Sequence, residues 1–162
     1  MTASASLSER LGGFVATWRA EDMPDSAIRA ATRCMTHNLL MGLAAGAGRQ
    51  PPSRSVQRAD GATLLNGGAR VAVEDAAFAN AALMNMRSQD DTHEASVSHP
   101  GVPVLAASLA LAESEGASGQ DLITAVILGY EVLCRVGSVC GQAMSARRSE
   151  EHTSELQSLT NL

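Results

Sequence analysis

The sequence predicts an all-α protein, a partial helical bundle without significant sheet. Three observations carry this. Apolar residues make up 45% of the 162 positions but aromatics only 2%, so the core material is Ala, Leu, Val and Met. Side chains of that size let helices approach closely, and few runs are β-branched or aromatic enough to favour strands. Apolar residues also recur at three- and four-residue spacing in five stretches, with Gly, Pro, Ser and Asp clusters between them.

The first helix starts near Ser6 or Ser8 and carries Leu7, Leu11, Phe14, Val15 and Trp18 on one face. Asp22-Met23-Pro24-Asp25 breaks it and caps a second helix, whose stripe is Ile28, Ala31, Met35, Leu39 and Leu43. That helix ends where Gly46 and Gly48 suit a terminus. Residues 49–70 are rich in Gly, Pro and Arg and predict a long surface connection. A third helix spans Glu74 to Met86, with Glu74 and Asp75 where the helix dipole favours acids. Pro103 opens a fourth helix through VLAASLALAES, and EGASG turns the chain. Ser118 and Asp121 have capping-box spacing ahead of a fifth helix that carries Leu122, Ala125, Val126, Gly129, Val132, Leu133 and Val136.

The totals exclude several classes of function. A net charge of −5 does not supply the clustered positive charge of a nucleic-acid surface. All twelve basic residues are Arg, which removes Schiff-base, P-loop and lysine general-base chemistry. Cys34, Cys134 and Cys140 fit no zinc or redox spacing and are read as buried free thiols in a reducing compartment. No secretory signal and no uninterrupted membrane-spanning apolar run is visible. The expectation is a soluble cytoplasmic protein with no nucleic-acid or membrane partner.

The end of the chain reads differently. Arg148-Ser-Glu-Glu-His-Thr-Ser-Glu-Leu-Gln-Ser158 has no apolar period, and its back-translation matches a common short-read sequencing adapter in one frame. Two regions are therefore expected: a native region, 1–147, and a disordered adapter-derived tail, 148–162. His152 is set aside as a ligand. Without the tail, 11 Arg against 14 Asp and Glu leave a charge of −3. The native part is expected to be a truncated piece of a longer protein, without catalytic activity of its own.

The chemistry concentrates in QDDTHEASVSHPG, residues 89–101. Asp90, Asp91, His93 and His99 are all acid–base groups, and Thr92 can hydrogen-bond an anion. Asp, Thr and Ser between helices also make good caps and turns, so a purely local role competes with catalysis. A metal site is open by ligand type, but the spacing fits no strong template. His37 reads as a structural or surface residue. Glu131 and Arg135 can pair at i,i+4, with a substrate-carboxylate clamp as the alternative for Arg135.

Three stretches together resemble the MmgE/PrpD family: FVATWRAEDMP, AAFANAALMNMRSQDDTHEASVSHPGVPVLAASLALAE and GASGQDLITAVILGYEVLCRVG. The resemblance spans roughly residues 7–145. It implies the all-α domain of enzymes that include 2-methylcitrate dehydratase, cis-aconitate decarboxylase and an iminodisuccinate epimerase. Such enzymes are homodimers with a second, α+β lid domain, and act on small di- and tricarboxylates without a metal or other cofactor. It further implies His99 as the acid–base residue, with Asp90 and Asp91 catalytic and Thr92 and His93 binding substrate. The chain departs from the family where Asn85 replaces a frequent His, Ser88 a frequent Asp and Gln89 an aromatic. Two functions follow as expectations: part of a 2-methylcitrate dehydratase-like lyase or isomerase, or a non-catalytic helical module for self-association or partner binding.

Overall fold

A computed structural model of the chain describes residues 5–48 and 57–160. Its helices are α1 (Leu7–Thr17), α2 (Asp25–Gly46), α3 (Val73–Asn85), α4 (Gly101–Glu115) and α5 (Gly119–Thr160). Ser6 starts α1 with a reciprocal box: its hydroxyl accepts from the Glu9 amide while Glu9 accepts from the Ser6 amide. Ser118 and Asp121 make the same exchange ahead of α5. These boxes satisfy amides that the helix itself leaves unpaired. Helix α4 begins two residues before Pro103, whose missing N–H falls in a first turn that has no intrahelical use for one.

Helices α2 to α5 enclose one core in which Ala31, Met84, Val102, Leu105, Ala106 and Val126 meet. Small residues set the spacing. A β-carbon on Gly137 or Gly141 would come within 2.6 Å of Ser96 atoms, so the 93–98 turn packs directly on the α5 backbone. Helix α1 buries none of its residues. Its stripe leans on α5 and leaves an apolar groove of about 590 Å³ between Val15, Val104, Leu128, Val132 and Leu133.

The region read as a long surface connection holds a small sheet instead. Residues 49–56 lie outside the described residues, but Ala62–Thr63 (β1) and Arg70–Val71 (β2) pair antiparallel, Ala62 opposite Val71 and Thr63 opposite Arg70. Two-residue strands carry no readable alternation, and their anchors lie on helices. Asn80 of α3 accepts from the Leu65 amide and donates to the Thr63 carbonyl, both at 2.9 Å. Glu113 of α4 accepts from the Thr63 amide at 2.7 Å and from its hydroxyl, and pairs with Arg70 at 3.0 Å. Ala62, Leu64, Val71, Ala76, Ala79 and Ala110 close a second core beneath the hairpin.

Helix α5 continues through residues 148–160; extending a formed helix avoids the nucleation cost that a free segment would bear. Two further expectations are revised. Cys34 and Cys134 are half-buried and Cys140 is exposed, rather than all three buried. Gly119–Gly141 is long and apolar enough to cross a membrane by length and composition, its most apolar 18-residue window having mean hydropathy 1.7 with 11% of that window buried. Searching for uninterrupted runs misses it because Asp121, Glu131 and Arg135 interrupt, and the last two neutralise each other as an i,i+4 pair.

Two predictions follow. Burial alone would raise the Glu113 pKa, but hydrogen bonds from Thr63 and the Arg70 charge outweigh it and hold the carboxyl below its ordinary value. A depressed carboxylate stabilises the fold fully above its unfolded value, near pH 4.5, and loses that contribution as pH falls through the folded value. Glu113→Gln should therefore lower stability by about 1–2 kcal/mol at pH 7, and the deficit should shrink in urea titrations carried out below pH 4. Deleting 148–162, a segment without an apolar stripe, should leave the thermal midpoint within about 2 °C; a larger fall would make the segment part of the fold.

Candidate functional site

The 86–100 connection runs from the end of α3 to the start of α4 and is tied down at several points. His37 of α2 meets the Gln89 carbonyl through Nε2 at 2.6 Å, which gives this mid-helix histidine a structural role. His93 and Ser98 bridge their backbones, and Ser96 fills the turn between them, its hydroxyl 2.8 Å from His93 Nδ1 and 2.6 Å from Ser98 Oγ. Val97, at the tip, has φ 49°, a left-handed conformation that a β-branched residue adopts only under constraint. The constraint is the backbone bridge below it and the Gly137–Gly141 surface behind Ser96.

The Asp91 side chain is held from two helices. Oδ1 accepts from Asn38 Nδ2 of α2 at 2.7 Å, and Oδ2 accepts from the Tyr130 hydroxyl of α5 at 2.8 Å. Both donors sit against Gly101, the first residue of α4: a β-carbon there would lie 2.1 Å from Asp91 Oδ1, 2.4 Å from Asn38 Nδ2 and 2.4 Å from the Tyr130 oxygen. The carboxylate thus occupies the positive end of α4, where a negative charge is stabilised. Burial, then the Asp91 carboxylate, raises the Tyr130 pKa far above that of a free phenol, so the hydroxyl stays a donor.

Asp90 and His99 form the second unit. The Asp90 side chain is fully buried and lies 3.1 Å from Nδ1 of the half-exposed His99 ring. Asn85 donates to both Asp90 oxygens, at 3.2 and 3.3 Å. His99 Nδ1 also lies 3.2 Å from the Asp91 carbonyl oxygen and 3.4 Å from Thr92 Oγ1. A carboxylate and a carbonyl can only accept, so Nδ1 carries the proton in the neutral ring and Nε2 keeps the lone pair.

Of the five residues singled out in the sequence, the structure brings together Asp90, Asp91, Thr92 and His99. His93 points elsewhere, into a cavity of about 290 Å³ also lined by Cys34, Ile127, Tyr130, Glu131 and Cys134. Burial raises the Cys134 pKa, which opposes thiolate chemistry there. Among the described residues no three His, Cys, Asp or Glu side chains converge as metal ligands would. Arg135 pairs with Glu131, as the i,i+4 spacing predicts.

Sequence reasoning missed Asn38, Gly101 and Tyr130 as members of the site. One signal existed for Asn38, a polar residue between Met35 and Leu39 in the apolar stripe of α2; it is fully buried. Asn80, in the Ala-Ala-Phe-x-Asn stretch, also proves to be a buried structural clamp.

The family model of the MmgE/PrpD N-terminal domain matches residues 9–157. No curated protein and no solved structure matches the chain.

Gly101→Ala tests the packing around Asp91. The added methyl meets three hydrogen-bonded atoms at once, and none can withdraw without unpairing a buried polar group. The substitution should cost at least about 3 kcal/mol, measured as the shift in urea midpoint; a loss near zero would show that the cluster is loose.

Proposed function

This chain belongs to the MmgE/PrpD family, and from that premise we propose that it carries the acid–base element of a dehydratase-like lyase or isomerase acting on small di- or tricarboxylates. The observation that carries the reading is the His99–Asp90 pair, a half-exposed imidazole whose Nδ1 is 3.1 Å from a fully buried carboxylate. A proton α to a carboxylate is removed or returned most effectively by a positioned group that titrates near neutrality, and an imidazole meets that requirement. His99 is the base and acid through Nε2. Asp90 orients the ring and stabilises the imidazolium that forms, as a buried carboxylate does for a catalytic histidine elsewhere.

Asp91 takes a different role in this reading from the one the sequence suggested. Both of its oxygens are occupied by protein donors, so it supports the segment and does not exchange protons with substrate. Thr92 is exposed beside His99 and is the residue best placed to donate to a substrate carboxylate. His93 binds substrate only if the substrate reaches the cavity beside Tyr130. In this reading the protein is a cytoplasmic homodimer that needs no metal.

A second reading, a helical module that self-associates, draws on the apolar α5 segment, whose most apolar 18-residue window is 11% buried. The two separate at His99. In a family enzyme that carries this 86–100 connection, His99→Ala should lower kcat on citrate-like acids by about 10²–10⁴-fold and shift the thermal midpoint by less than about 3 °C. Unchanged turnover would remove His99 from the chemistry and leave the association reading standing.

A further inference from the structure

We propose that Tyr130 is a positioning residue for His99: by donating to Asp91 Oδ2 it fixes the Asp90–Asp91 step, and through it the imidazole tautomer. This rests on the acid–base reading of His99 but is tested without it. Tyr130 is 39 residues from Asp91 in sequence and reaches it from α5, whereas Asn38 reaches it from α2. One hydrogen bond on one oxygen would leave the carboxylate free to rotate about its bonds. Two donors from different helices, one on each oxygen, do not.

The clamp acts on His99 through a short lever. The residue whose side chain is held by Tyr130 and Asn38 is the same residue whose main-chain carbonyl lies 3.2 Å from His99 Nδ1. Its neighbour Asp90 supplies the other acceptor at 3.1 Å. If Asp91 rotates, the peptide that carries that carbonyl moves with it and Nδ1 loses an acceptor. Which nitrogen of a neutral imidazole is protonated depends on the hydrogen bonds each one makes. Loss of the Tyr130 bond therefore releases the proton towards Nε2, and a ring protonated there cannot accept a proton from substrate. Asn85 holds the Asp90 side chain, and His37 on the Gln89 carbonyl and Ser96 on the α5 glycines tie the segment on either side, but none of these touches the Asp91 carboxylate.

The test is the ¹⁵N spectrum of the histidine rings in the chain as it stands, recorded above the imidazole titration, with His99→Gln to assign the His99 signals. The unmodified chain should show His99 mainly as the Nδ1–H tautomer and a slowly exchanging Tyr130 hydroxyl proton. Tyr130→Phe keeps the half-buried ring and removes only the donor; the Nδ1–H to Nε2–H ratio should fall about three- to tenfold, the size of one hydrogen bond. Val126→Ala, on the same helix and in the core, should lower stability and leave the ratio unchanged. An unchanged ratio in Tyr130→Phe, an equal change in Val126→Ala, or a rapidly exchanging Tyr130 hydroxyl in the unmodified chain would each overturn the proposal. The readout needs no turnover, so failure of the lyase reading would leave this result intact.

Discussion

The Asp91 carboxylate is the point on which the site depends. It joins the 86–100 connection to three helices: α2 through Asn38, α5 through Tyr130 and α4 through Gly101. Asp91 is half-buried, and a carboxylate drawn out of water is costly unless it is met by donors or a positive potential. Here two side-chain donors and the start of α4 meet it together. Gly101 has no side chain because the space one would fill is taken by the cluster, so His99-Pro100-Gly101 follows from packing as much as from chemistry. Pro100 is itself fully buried, which holds His99 at a fixed distance from the α4 terminus.

This separates two acids that look equivalent in sequence. Asp90 and Asp91 are adjacent, yet their side chains serve different partners. Asp91 turns into the helices and is consumed by them, while Asp90 turns towards Asn85 and His99. Neither acid can take the other's part. Asp90 has one side-chain donor, Asn85, at 3.2 Å or longer, which leaves lone pairs for the imidazole; Asp91 has both oxygens filled at 2.7 and 2.8 Å.

Much of the fold was legible because helical period and caps are local signals. Ser6 with Glu9, Ser118 with Asp121 and the Asp22–Asp25 break sit where their spacing places them. The β1–β2 hairpin was not legible, because its stability comes from Asn80 and Glu113, up to 50 residues away. The same holds at the site. Asp90, Asp91, Thr92 and His99 are neighbours in the chain and were found together. Asn38 and Tyr130 join them only through the packing of α2 and α5, a relation that no spacing within the segment encodes. His93 was grouped with the others by proximity in sequence, but its ring meets Ser96 and lines the cavity beside Tyr130 instead of joining Asp90 and His99.

The departures at residues 85 and 88 can now be weighed physically. Ser88 stands where the family often has Asp, and its φ of 50° lies in the left-handed region. Among residues with a side chain, Asp and Asn adopt that conformation most readily, so the backbone is already shaped for the family residue and the change is one of chemistry. A serine hydroxyl there cannot supply the charge of a carboxylate. Asn85 stands where the family often has His, and it donates to Asp90 from one side as His99 meets it from the other. A histidine at 85 could exchange a proton with Asp90, whereas the Asn85 amide only hydrogen-bonds to it. Both changes replace groups that exchange protons with groups that do not. In the proposed reading the acid–base role therefore rests on His99, whose Nδ1 faces the Asp90 carboxylate and the Asp91 carbonyl.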